Sequence, residues 1–133
     1  MTQHRIAAGV RVLGCGGRGY ADQAMLFGAL DMEAEVNGVS AIIQGEADGA
    51  DKLARLWAHS RGVPCEGYAA DWRQHGRAAG PIRNQQMLDV AMPDKVFAFA
   101  GGRGTADMVR RAKLAGVSVA EFATPPVAAG RPS

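Results

Sequence analysis

The sequence predicts an α/β protein, a parallel sheet of about five strands with helices on both faces. Three observations predict it. Short apolar runs alternate with longer amphipathic ones about five times along the chain. Glycine clusters follow several of the short runs, where a strand hands over to a helix. The length of 133 residues suits one domain and leaves little room for a second.

Residues 10–15, VRVLGC, read as the first strand, stopped by Gly16, Gly17, Arg18 and Gly19. Asp22 opens a helix in which Met25, Leu26, Ala29, Leu30 and Glu33 recur at helical spacing, all but the last apolar. Residues 39–44, VSAIIQ, form a second strand and 45–49 a turn. Asp48 is expected to cap a helix that runs to about Ser60 and is ended by Arg61 and Gly62. Within it Trp57, among Leu53, Ala54 and Leu56, reads as core. Residues 63–68 carry Pro64 and Gly67 and read as a weaker edge strand. A long loop, 71–80, precedes a helix started by Pro81, a residue suited to the first helical position. Residues 95–100, KVFAFA, give a strand, and Gly101, Gly102, Arg103, Gly104 and Thr105 lead into a helix to about Ala115. Residues 117–122 close the sheet. The expected organisation is an N-terminal arm over 1–8, one Rossmann-like domain over 9–123 and a flexible tail over 124–133, rich in Pro, Ala and Gly.

Composition narrows the partners. Hydrophobic residues at 47% suffice for a core, and 21% charged argues against disorder along the whole chain. A formal charge of +2 is too small to imply a nucleic-acid partner unless basic residues cluster on one face. Cys15 and Cys65 lack metal-ligand spacing and read as reduced thiols, Cys15 being reactive only if it sits at a helix N-terminus. His4, His59 and His75 are not grouped with carboxylates or thiols, so no metal and no cofactor is expected. No apolar run reaches membrane-spanning length and the first residues lack a signal-peptide core, so a cytoplasmic protein without a membrane partner is expected.

Right-handed crossovers bring all strand-to-helix loops of a parallel sheet to one edge, where ligands bind. Four loops meet there, over 16–20, 45–51, 71–83 and 101–105. In the last, glycines let backbone N–H groups approach an anion at a helix N-terminus, with a hydroxyl from Thr105 and a charge from Arg103. Tight turns without a ligand use glycines equally well. Gly16, Gly17 and Gly19 repeat the arrangement, and Arg18 has the geometry to pair with a phosphate. Neither loop has dinucleotide-fingerprint or P-loop spacing. Arg83 and Asn84 fall in the first turn of the Pro81 helix, where a cation opposes the dipole unless it meets an anionic ligand or a carboxylate such as Asp51 or Asp71. Tyr20 and Trp72 lie on the same edge, suited either to stack on a base or ribose or to pack their loops.

The strings GGRGY at 16–20, GEADGADKLA at 45–54, Asp71-Trp72, AGPIRNQQM at 79–87 and GGRGTADM at 101–108 resemble the YspA-type branch of the SLOG superfamily. Its relatives are the lonely-guy phosphoribohydrolases and the Smf/DprA DNA-processing proteins. The resemblance implies a homodimer-prone Rossmann-like domain that binds nucleotides or their derivatives. In the phosphoribohydrolase relatives a Gly-Gly-x-Gly-Thr loop holds the phosphate, which maps onto Gly101, Gly102, Gly104 and Thr105, and Arg83 matches the catalytic arginine. The catalytic glutamate falls at Met108, with Asp107 beside it. Gly17, Gly19 and Ala100 also stand where this branch more often has Ser, Asp and Pro.

Three functions are then open. A binding or sensor module for a nucleotide-derived ligand needs only the loops, with Gly16, Gly17, Arg18, Tyr20, Gly45, Asp51, Trp72, Arg83, Asn84 and residues 101–105 as its contacts. A nucleotide N-glycosidase would use Arg83 to orient phosphate or ribose and Asp51, Asp71 or Asp107 to assist departure of the base. Binding of single-stranded DNA would draw on Arg103, Arg110, Arg111 and Lys113, but 6% aromatic residues offer little stacking.

Overall fold

The computed structural model describes residues 9–122; the arm over 1–8 and the tail over 124–133 lie outside the described residues. Its elements are β1 (Val10–Cys15), α1 (Gln23–Val36), β2 (Val39–Gln44), α2 (Ala50–Arg61), β3 (Cys65–Gly67), α3 (Trp72–His75), α4 (Ala79–Gln86), β4 (Lys95–Phe99), α5 (Arg103–Leu114) and β5 (Ser118–Phe122). The five strands form one sheet in the order β3-β2-β1-β4-β5, and every pairing is parallel. The α/β expectation holds. None of the described helices is long and apolar enough to cross a membrane.

The alternation of side chains along each strand explains why both sheet faces are covered. Val12, Ile42, Phe97 and Phe99 point to one face and pack with Leu26 and Leu30 of α1 and Ala54 and Trp57 of α2. Leu13, Ile43, Val96 and Ala98 point to the other and meet Met87, Leu88, Met108 and Ala112. Each large side chain so buried contributes roughly 1.5–3 kcal/mol relative to exposure. Trp57 is core, and its indole N–H donates to Asp31 Oδ1 at 2.8 Å. Glu33, the polar member of the α1 stripe, is buried and accepts from Lys95 Nζ at 2.8 Å. Burial alone would raise its carboxyl, but hydrogen bonds from Lys95 and Asn37 outweigh that and hold it below the usual range.

Asp22 caps α1 as expected, accepting from Met25 N at 3.1 Å, and Gly62 closes α2 in the left-handed conformation. Other boundaries differ from the sequence expectation. Asp48 does not cap α2. Gly49, at φ +73°, takes the cap position with no side-chain bond, and Ala50 N instead donates to Gly17 O at 3.2 Å. The loop over 71–80 is largely helical. Asp71 accepts from Gln74 N at 3.1 Å to start α3, and a tight turn over Gly76–Ala78 runs straight into α4. That helix therefore begins at Ala79 rather than Pro81, which still lies among the first residues whose N–H groups lack helical partners. The strand read at 63–68 is only three residues long, at the sheet edge.

Candidate functional site

The chain order reverses between β1 and β4, the neighbours at the centre of the sheet. In open parallel sheets this switch point leaves a crevice outside the carboxyl ends of the strands. Here it is a cleft of about 580 Å³. Of the candidates named from sequence, Gly16, Gly17, Arg18, Asp51, Trp72, Arg83, Asn84, Gly102, Arg103, Gly104, Thr105 and Asp107 line it. A smaller polar recess of about 280 Å³ opens behind Arg18 and Trp72 and reaches Gly45, Glu46 and Asp48.

The glycines divide into two groups. A side chain at Gly16 would come 2.6 Å from Ala50 Cβ, and one at Gly101 would come 2.6 Å from Gly17 N. One at Gly49 would overlap Gly17 O. Gly17 N donates to Ala100 O at 2.9 Å, while Gly17 O accepts from Tyr20 N and Ala50 N. These glycines lock three loops together. Gly102 and Gly104, by contrast, have nothing within 4 Å of an added Cβ. Gly102 precedes α5 without any side-chain cap, so the first N–H groups of that helix keep their capacity for an acceptor.

Arg83 is the most constrained cation of the cleft. Its Nη1 donates to Gly45 O and to Tyr68 O at 3.3 Å, and its Nε donates to Asn84 Oδ1 at 3.1 Å. Among the described residues Nη2 has no protein acceptor, which leaves one edge of the guanidinium for a ligand. Burial pulls the Arg83 pKa down, against the nearby Asp51 charge and together with that of Arg18. Because α4 starts at Ala79 and its helical backbone runs on through Met87–Ala91, Arg83 stands in the interior of the helical segment, clear of the first turn. The expected conflict in a first turn does not arise. Nor does Arg83 form an ion pair with Asp51 or Asp71; of the two, Asp71 caps α3.

The two aspartates differ. Asp51 is buried in the first turn of α2 and accepts from Ala47 N at 3.3 Å. Burial raises its carboxyl above the ordinary range, against the backbone bonds and the Arg83 charge. Asp107 is engaged by Arg110 Nη2 at 2.9 Å, Arg111 Nε at 2.8 Å and Asn84 Nδ2 at 3.0 Å. Burial would raise it, but Arg111 and Asn84 hold it below the usual carboxylate range. Asn84 is itself buried, with Nδ2 also near Gly104 O at 3.2 Å. Its bonds go to Arg83 and α5, so it acts on the cleft by holding Arg83.

Trp72, about half exposed, carries the Arg18 guanidinium 5.6 Å from its ring centroid. Three candidates stand apart from the cleft. Tyr20 packs on Phe99 with centroids 5.4 Å apart, its hydroxyl buried with no partner among the described residues. Gly45 serves through its carbonyl, and Gly101 faces a separate hollow of about 740 Å³ between α5 and β5. That hollow is walled mainly by apolar groups and collects fewer convergent polar atoms than the cleft. Cys15 lines the cleft from a strand end, not a helix N-terminus, and burial pushes its thiol up to about 12, an unreactive value. Arg77, on the turn before α4, also lines the cleft and was missed. Its one sequence signal is a basic residue within the 71–83 segment on that edge.

A doubly wound parallel sheet with a loop-walled cleft at its switch point defines a Rossmann-like α/β protein with a ligand-site geometry. Residues 10–75 match the family described as YspA, cpYpsA-related SLOG. The chain is 36% identical over 124 residues to the Gene 61 protein of Mycobacterium phage D29, an alignment covering 87% of this chain and 98% of that protein. The chain belongs to the YspA, cpYpsA-related SLOG family. Membership points to a nucleotide-related ligand in general terms and to none in particular. The family match ends before α4 and α5, so it covers neither Arg83 nor the loop over 101–105.

Proposed function

We propose that the cleft binds a nucleotide or nucleotide-derived ligand and that the protein works as a binding or sensing module. The phosphate sits at the amino end of α5, among Gly102, Arg103, Gly104 and Thr105, with ribose and base toward Asp51, Arg83 and Trp72. One observation carries this reading. The uncapped helix end, bare of side chains at Gly102 and Gly104, opens on a cleft lined by arginines.

N-glycosidic hydrolysis is the second reading, favoured by Asp51 alone. Asp51 places a carboxyl group beside Arg83 on the cleft wall, although its burial disfavours the charged form that would stabilise positive charge developing on a ribose. Two observations weigh against it. Met108, which stands where the phosphoribohydrolase motif has its glutamate, is a core residue, and Asp107 is tied to two arginines. Single-stranded DNA has less support, since Trp72 is the one large exposed aromatic among the described residues. A homodimer belongs to the same reading, supported by the apolar strip of Met25, Met32, Ala120 and Phe122 between α1 and β5; light scattering at micromolar concentration tests it, and a monomer counts against it.

The test is a thermal-shift screen of AMP, ADP, ADP-ribose, NAD and cyclic nucleotides, each mixture then separated by chromatography. A ligand at a hundredfold excess over Kd stabilises by roughly 2.7 kcal/mol. A shift with intact ligand supports a binding module, and released base assigns the hydrolase. A folded protein that no nucleotide shifts overturns the proposal.

A further inference from the structure

Four arginines and two aspartates line the cleft, and their pairing is uneven. Asp107 is already engaged by Arg110 and Arg111, neither of which lines the cleft. Among the described residues Asp51 forms no ion pair, and its burial disfavours the charged form. Arg18, Arg77 and Arg103 have no carboxylate partner among the described residues. The three come from separate segments: Arg18 from the β1–α1 loop, Arg77 from the turn before α4, and Arg103 from the first turn of α5. Arg18 lies over the ring of Trp72, which belongs, like Arg77, to the segment that leads into α4.

A single phosphate at the amino end of α5 meets Arg103 and the helix N–H groups. It leaves Arg18 and Arg77 without a counter-charge in the cleft they share with the cation of Arg83, whose pKa the Arg18 charge already helps to lower. Like charges gathered around a cleft are a cost that a second anionic group removes. We propose that the cleft selects a ligand bearing two or more phosphate groups, one held at the amino end of α5 with Arg103, the other by Arg18 and Arg77. This rests on the cleft being the ligand site and makes Arg77 a specificity-determining residue. Arg77 has no hydrogen-bond or ion-pair partner among the described residues, so its replacement leaves the fold intact.

Isothermal titration with AMP, ADP, inorganic phosphate and inorganic pyrophosphate, at matched ionic strength, tests this. ADP is expected to bind at least about tenfold tighter than AMP, equivalent to about 1.4 kcal/mol, and pyrophosphate tighter than phosphate. Arg77→Ala should remove most of the ADP advantage while changing AMP affinity by less than about threefold, with an unchanged melting temperature, and Arg77→Lys should restore part of it. Equal affinity for AMP and ADP overturns the inference but leaves the nucleotide reading standing. So does an Arg77→Ala protein that loses affinity for both alike or for neither. Pyrophosphate preferred over phosphate in a protein that binds neither AMP nor ADP overturns the nucleotide reading and supports two-phosphate selection.

Discussion

Asn84 donates through Nδ2 to Asp107 Oδ2 at 3.0 Å, and that bond ties α4 to α5 beside the cleft. The same side chain accepts from Arg83 Nε through Oδ1, so the position of Arg83 depends on a buried amide that needs no contact with ligand. Asn84→Ala leaves Arg83 Nε and Asp107 short of a partner. It should destabilise the fold by about 1–3 kcal/mol, read from the urea midpoint. An unchanged midpoint would mean that water replaces the amide at no cost.

Replacement of Arg83 separates charge from geometry. Arg83→Ala should fold and lose about tenfold or more in affinity for the ligand that the screen identifies, and any turnover should vanish. Arg83→Lys keeps the charge but not the fork, and should recover only part. Normal binding by Arg83→Ala would remove Arg83 from the site.

The glycines give opposite results at two positions. Gly49→Ala imposes φ +73° on a residue with a Cβ and drives that atom into Gly17 O, and should cost about 2 kcal/mol or more. Gly104→Ala adds a methyl group in open space inside α5, and should stabilise by about 0.5–1 kcal/mol while weakening phosphate binding. Circular-dichroism melts with and without ligand distinguish the two. A Gly104→Ala protein that binds as before would make the phosphate placement wrong.

Asp51 and Asp107 respond to pH in opposite senses. Asp51 holds its proton more tightly folded than unfolded, so the stability linked to it is present at low pH and lost as pH rises through its raised folded pKa. Asp107 is lowered, so its contribution is present above the ordinary carboxylate value and lost as pH falls through the folded one. Asp51→Asn should therefore raise Tm at pH 7, with the gain shrinking toward pH 4. A gain equal at both values would assign the effect to packing instead of charge.

Thiol titration of the folded protein at pH 8 should modify Cys65, on the exposed edge strand, and spare Cys15. Unfolding should release the second of the two thiols. Two fast-reacting thiols in the native protein would contradict the burial of Cys15.

Much of this was legible along the chain because strand and helix leave periodic signals in local sequence. The apolar runs at β1, β2 and β4, the Asp22 cap and the Gly62 stop each depend on residues within a few positions. So did the grouping of four loops on one edge, which follows from parallel pairing and right-handed crossovers. The residues within those loops answered to contacts made across the fold. Asp48 lost its cap because Gly17, far away in sequence, supplied an acceptor for Ala50. Tyr20 left the site for Phe99. Asp107 was claimed by Arg110 and Arg111, two arginines from its own helix, and by Asn84 from α4. Sequence by itself determined the fold class and the edge where the strand-to-helix loops gather, since both follow from local periodicity and chain handedness. Only the tertiary structure decided which glycines pack loops and which stand open, and which charges are already paired, because those depend on distances between segments that are remote in the chain.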